Sequence, residues 1–242
     1  MKKLLLVICL VLSTVLIGCG KKAEEKKVYH VGTNAEYAPF EYLENGKIVG
    51  FDIELLETIA KKVGIEIQWD NMSFDGLIPA LQSGKIDMAI AAMTVTEARM
   101  KTVNFSAPYQ ESPTTFLTTT ESTFNDMKDI KGKKYGVQLG TTQEVIASGI
   151  ENAEIVTYTS VAVAILDLKA NKLDSVLVDK SVANNFIGAN SGIKSIGDYQ
   201  GESKAIAFNK NFDKELLEKI NKVIEEMKKD GSLDALGKKY KI

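Results

Sequence analysis

Phe74-Asp-Gly-Leu-Ile-Pro-Ala-Leu-Gln-Ser-Gly-Lys-Ile-Asp87 aligns without gaps against Val161-Ala-Val-Ala-Ile-Leu-Asp-Leu-Lys-Ala-Asn-Lys-Leu-Asp174. Ile78 meets Ile165, Leu81 meets Leu168, Gly84 meets Asn171 and Lys85 meets Lys172. Gly and Asn are the residues that best adopt the left-handed conformation ending a helix, so the match has a physical reason. In both stretches a helical pattern gives way to Lys, an aliphatic residue, Asp and an apolar strand. A unit of this kind that recurs once in the chain predicts two related lobes.

Around this pair the chain alternates short strand-like runs with helical patterns, the signature of an α/β fold with largely parallel sheets. Tyr29-His30-Val31-Gly32 ends a first strand. Asp52 is placed to cap a helix carrying Ile53, Leu56, Ile59, Ala60 and Val63 on one face, stopped by Gly64. Ile65 to Trp69 alternates as a strand, and Ile86 to Ala91 is an apolar strand of the buried kind. Pro108 to Leu117 predicts an extended crossing between lobes, and Lys204 to Phe208 a return crossing. An amphipathic helix follows from about Lys214 to Lys228. The expected division is a first lobe from 28–111 and 206–242, and a second from 112–205.

The N-terminus is set aside from the fold. Met1-Lys2-Lys3 followed by the apolar run Leu4 to Ile17 reads as a secretory signal over 1–18, short for a spanning helix. Leu16-Ile17-Gly18-Cys19 resembles the lipobox of bacterial lipoproteins, which implies that the Cys19 thiol carries a lipid anchor. Residues 19–27 are charged, with no apolar face, and read as a tether. Cys9 leaves with the signal, so no disulfide forms within one mature chain. Without Lys2 and Lys3, 28 basic residues stand against 32 acidic ones, a balance that gives no global attraction to nucleic acid.

Ligands of open α/β sheets bind beyond the carboxyl ends of strands. Here those segments are Thr33 to Pro39, Ala92 to Thr96, Gly140 to Gln143 and Val178-Asp179. By the repeat, Asp179 takes the place of Ala92. Thr94, Thr96 and Arg99 offer hydroxyls and a guanidinium for a carboxylate, and Asp179 an anion for an ammonium. From pattern alone Arg99 reads rather as a solvated helix residue and Asp179 as a loop or cap residue, and Tyr37 and Phe74 read as readily as core aromatics.

At these residues the chain resembles the polar amino-acid-binding proteins of ABC importers, the family of glutamine-, histidine- and lysine/arginine/ornithine-binding proteins. The matching stretches run in order through the mature chain: Gly32 to Glu41, Gly50-Phe51-Asp52, Phe74 to Leu81, Met93 to Arg99, Asn104 to Tyr109, Gly140 to Gln143 and Leu177-Val178-Asp179. The resemblance implies a two-lobed Venus-flytrap fold with two crossings, in which Tyr37 and Phe74 sandwich the ligand side chain. It implies that Thr94, Arg99 and backbone N–H groups near Ala92 and Thr142 hold an α-carboxylate, and that Asp179 holds the α-ammonium. Asn34 stands where several relatives carry an acid. The full expected ligand set is Asn34, Glu36, Tyr37, Phe74, Ala92, Met93, Thr94, Arg99, Gln138, Thr141, Thr142, Gln143 and Asp179. Glu36 or Glu41 would supply an anion for a basic side chain.

The expected function is therefore extracytoplasmic capture of a polar L-amino acid for an ABC permease. Arginine comes first, then lysine, with glutamine or cystine as neutral alternatives. A lipid-anchored monomer without cofactor or metal is expected. A secreted dehydratase-like enzyme or a sensor module are the other classes such a fold could serve. Against the enzyme, His30 is the one histidine, and no nucleophile–base pair or phosphate-binding loop is evident.

Overall fold

The computed structural model describes residues 27–189 and 192–242. The signal segment, Cys19 and most of the tether lie outside the described residues. Among the described residues no helix is long and apolar enough to cross a membrane.

The chain forms two lobes, each built on a five-stranded sheet. In the first, β1 (Val28–Thr33) lies parallel between β5 (Glu66–Asn71) and β6 (Met88–Ala89). β7 (Asn104–Phe105) lies at the far edge, and β13 (Ala207–Phe208) enters from the end of the chain between β6 and β7. A small antiparallel sheet of β2 (Glu36–Tyr37), β3 (Glu41–Glu44) and β4 (Lys47–Val49) leads into α1 (Phe51–Val63). In the second lobe β9 (Lys134–Gln138) lies parallel between β10 (Glu154–Tyr158) and β11 (Ser175–Asp179). The long strands β8 (Gln110–Thr119) and β12 (Ile193–Lys204) complete that sheet, antiparallel to β11 and to each other. The sheets are thus parallel in their first three strands and antiparallel thereafter, because the crossing segments arrive from the opposite direction.

Two sequence expectations change in detail. The strand expected from Ile86 to Ala91 pairs only at Met88–Ala89, where β13 offers just two residues. Asp52 does not cap α1, which starts at Phe51 after Gly50. Its carboxylate is fully buried and accepts bonds from the Ala92 N–H at 2.7 Å and the Tyr109 hydroxyl at 2.9 Å instead.

The repeat is realised as α2 (Phe74–Ser83) and α5 (Val161–Lys169). Gly84 and Asn171 both take positive φ, 73° and 55°. Asp87 and Asp174 do the same work: one accepts from the His30 N–H at 2.9 Å, the other from the Lys134 N–H at 2.8 Å. Each thereby pins the loop after its helix to the start of the neighbouring central strand.

After α6 (Lys180–Ala189) in the second lobe, α7 (Lys214–Lys229) buries Leu216, Ile220, Val223, Ile224 and Met227. It packs with α8 (Ser232–Tyr240) on α1, which returns the C-terminus to the first lobe. The two crossings run side by side: Tyr109 N–H donates to Lys204 C=O at 2.9 Å, and Ser106 N–H to Ile206 C=O at 2.9 Å.

Candidate functional site

A cavity lies between the strand ends of the two lobes. Tyr37, Phe74, Ala91, Ala92, Thr94 and Arg99 line it from the first lobe, and Gln138, Thr141, Thr142, Gln143 and Asp179 from the second. Ten of the thirteen residues expected from sequence are in that lining.

The cationic end is built on the short helix α3 (Glu97–Met100). Thr96 caps it by accepting from the Arg99 N–H at 3.1 Å. The Arg99 guanidinium donates to Thr94 C=O at 2.7 Å and, across the cleft, to Gly140 C=O at 2.9 Å. It lies 5.4 Å from the centre of the Phe74 ring. Burial lowers its pKa to about 10, opposed by the nearby charge of Glu202, so at neutral pH it remains a cation. Facing it, Thr141 caps α4 (Thr142–Ser148), accepting from the Glu144 N–H and donating to Gln138 C=O at 2.6 Å. The Thr94 and Thr142 hydroxyl oxygens stand 3.3 Å apart.

The anionic end is Asp179, at the C-terminus of β11. Its Oδ2 accepts from the Tyr37 hydroxyl at 2.9 Å, and its own N–H donates to the same phenol oxygen at 3.0 Å. Burial, then the Asp179 charge, hold the Tyr37 phenol well above its ordinary pKa, so it stays a donor. Asp179 Oδ1 faces the Lys204 ammonium at 2.7 Å, an ion pair in which both side chains are almost fully buried.

Amides occupy a third side. Gln138 donates to Asn34 Oδ1 at 2.8 Å across the cleft and to Thr159 C=O at 3.1 Å. Gln143 donates to the Thr114 hydroxyl at 3.3 Å. Asn34 therefore meets the cavity through Gln138, and its own amide is tied to Met72 C=O at 3.0 Å.

The structure does not bring Glu36, Met93 or Glu41 into the lining. Glu36 is exposed because it alternates with the buried Tyr37 along β2. Met93 is fully buried in the apolar cluster of Phe74, Leu77 and Val103. Glu41 is sealed beneath the site, where burial first and Asp52 second hold its carboxyl well above the usual range. A protonated Glu41 donating to Asp52 pairs one of the otherwise unbonded buried oxygens of each acid.

Two residues were missed. Lys204 donates to the Thr94 hydroxyl at 2.8 Å as well as pairing with Asp179. Glu202 accepts from Thr142 at 2.6 Å and from Thr94 at 3.3 Å. The sequence held one signal for them: Glu202 and Lys204 stand two apart in an extended run, and so share a face.

Opposed charges, paired hydroxyls and two aromatic side chains lining one cavity describe a receptor for a small zwitterion. Residues 29–241 match the family model described as bacterial extracellular solute-binding proteins, family 3, and the chain belongs to that family. It is 44% identical over 217 residues to a probable histidine-binding protein of Campylobacter jejuni, covering 88% of this chain and 84% of that one. It is 35% identical over 252 residues to the arginine-binding extracellular protein ArtP of Bacillus subtilis, covering 99% and 98%. Among solved structures, an ancestral arginine-binding protein bound to arginine superposes with a TM-score of 0.82 at 43% identity, covering 88% of this chain and 97% of that one. An ancestral arginine-binding protein bound to glutamine gives 0.80 at 44%, with the same coverage.

Proposed function

We propose that the chain captures a polar L-α-amino acid outside the cytoplasm, arginine first, and presents it without turnover to the permease of an ABC importer. One observation carries this reading. Arg99, Thr94, Thr142 and Asp179 all line one cavity, and the Thr94 hydroxyl and the Asp179 carboxylate meet on the same Lys204 ammonium, at 2.8 and 2.7 Å. Guanidinium and hydroxyl donors suit a carboxylate, and a buried carboxylate suits an ammonium. The faces of Tyr37 and Phe74 suit a planar guanidinium. The arginine- and histidine-binding names of the relatives support the same ligand class.

Glutamine is the second reading, and the charge inventory favours it. Among the described residues Asp179 is the one carboxylate in the lining, and Lys204 already pairs with it. A cationic side chain would have to rely on amide oxygens and ring faces. Calorimetry against the standard amino acids, on protein unfolded and refolded to strip bound ligand, decides between them. Tightest binding of arginine is expected. Glutamine binding without arginine would transfer the assignment, and no binding by any amino acid would end it.

The same reading divides the chain into lobes 28–111 with 206–242, and 112–205, acting as a monomer tethered through lipid on Cys19. Intact mass of the membrane-bound protein should show the acyl groups, and Cys19→Ala should lack them.

A further inference from the structure

Both carboxylate oxygens of Asp179 are engaged by the chain's own groups. Lys204 approaches Oδ1 at 2.7 Å, and the Tyr37 hydroxyl approaches Oδ2 at 2.9 Å. Lys204 is 1% exposed, and its ammonium also donates to Thr94 at 2.8 Å. Two residues earlier on β12, Glu202 accepts from Thr142 and Thr94. The return strand therefore sets a cation against Asp179 and Thr94, and an anion against the Thr94 and Thr142 hydroxyls.

A carboxylate buried as deeply as Asp179 is strongly destabilising when it lacks a counter-cation. A cleft that relied on its ligand for that cation would demand an ammonium. Lys204 meets the demand from within. We propose that Lys204 is a built-in counter-cation, and that it lets this cavity take polar carboxylates lacking an α-amino group alongside the amino acids themselves. The proposal rests on the amino-acid reading above, and it adds a ligand class: the deaminated counterparts of the preferred amino acids.

The test compares matched pairs by calorimetry on refolded, ligand-free protein: L-arginine with 5-guanidinopentanoate, and L-glutamine with glutaramate. In each pair the members differ only by the α-amino group. Truncating one partner of a buried charge pair ordinarily weakens binding about thirtyfold or more. With Lys204 present, loss of the amino group should weaken binding by less than about thirtyfold. In Lys204→Met the same loss should cost about tenfold more than in the wild type, because the Asp179 charge then depends on the ligand. Lys204→Arg, which keeps a cation, should stay near the wild-type ratio.

A merely structural role for Lys204 would weaken both members of a pair equally and leave their ratio fixed; that outcome overturns the proposal. So does a wild-type ratio of about thirtyfold or more, a measurement that needs no variant and stands even where Lys204→Met fails to fold. Failure of every amino acid to bind would overturn the underlying function, whereas binding with a large ratio overturns this inference alone.

Discussion

The two lobes use the same parts up to the last residue of the strand and then part company. Gly32 in β1 and Gly136 in β9 stand where a Cβ would press on the repeat helix and its following strand. At Gly32 it would lie 2.5 Å from Ile86 and 2.8 Å from Leu77; at Gly136, 2.6 Å from Leu173 and 3.2 Å from Val176. Asn34 and Gln138 each lie just past or at the end of their strand, and they bond to each other across the cleft. One position further into the site, Ala92 and Asp179 correspond, and here the lobes differ. The Ala92 N–H is held by a carboxylate, Asp52, whereas the Asp179 N–H is held by a phenol, Tyr37. Matching positions carry the fold, and mismatched ones carry the charge.

The two buried acids also solve the same problem in opposite ways. Asp179 lies 2.7 Å from the buried Lys204 ammonium. Among the described residues Asp52 has no such cation in contact; burial raises its pKa to about 6 against the lowering effect of the Ala92 N–H and the Tyr109 hydroxyl. One lobe brings a counter-ion to its buried carboxylate, and the other shares a proton between two carboxyls.

The largest expected effect tests the mismatch. Arg99→Ala and Asp179→Ala should each cost about 2–5 kcal/mol of ligand affinity by calorimetry, with the fold retained by circular dichroism. Near-native affinity in either variant would mean that only one lobe supplies charge recognition.

The second expectation concerns the acid pair. A carboxyl whose native pKa is raised holds its proton longer in the folded than in the unfolded state. Between about pH 4 and 6 the native state therefore binds more protons, and stability falls as pH rises through that window. For Asp52 the loss amounts to about 3 kcal/mol. Denaturant unfolding of wild type and Asp52→Asn at pH 4 and pH 7 isolates it. The variant should gain on the wild type by that amount as pH rises, and a constant difference would show that Asp52 is ionised throughout.

Gly32→Ala and Gly136→Ala come next. Each should destabilise by about 1–3 kcal/mol, because the new methyl meets packed side chains. The two values should be alike, and a wide gap would break the equivalence of the lobes. Smallest is the Asp87→Asn and Asp174→Asn pair, at most about 1 kcal/mol each. Hydrogen exchange should quicken at the amides of His30 and Lys134 in the respective variants and nowhere in the other lobe.

The features that could be read in the sequence were those whose cause is local. A left-handed cap at Gly84 or Asn171, and the Asp three residues beyond it, are short-range requirements, so the repeat and the two-lobed plan were visible. The cavity lining was visible where it sits at strand ends, from Thr94 to Thr142. Asp52 was misjudged because capping is decided within one turn, whereas its actual partners, Ala92 and Tyr109, are 40 and 57 residues away. Glu36 falls outside the lining because the two-residue strand β2 turns it outward. Lys204 escaped for the complementary reason: a lone lysine in an extended run reads as solvated until the topology lays that run behind Asp179.

The position of β13 also bears on how the protein is made. All five strands of the second lobe's sheet fall between residues 110 and 204, in one uninterrupted stretch. The first lobe's sheet cannot close until Ala207 and Phe208 slide between β6 and β7. A polypeptide emerging N-terminus first can finish its second half while its first half still waits for strands and helices from the tail. The half begun earliest is completed last, and its long-range contacts make it the slower of the two to settle.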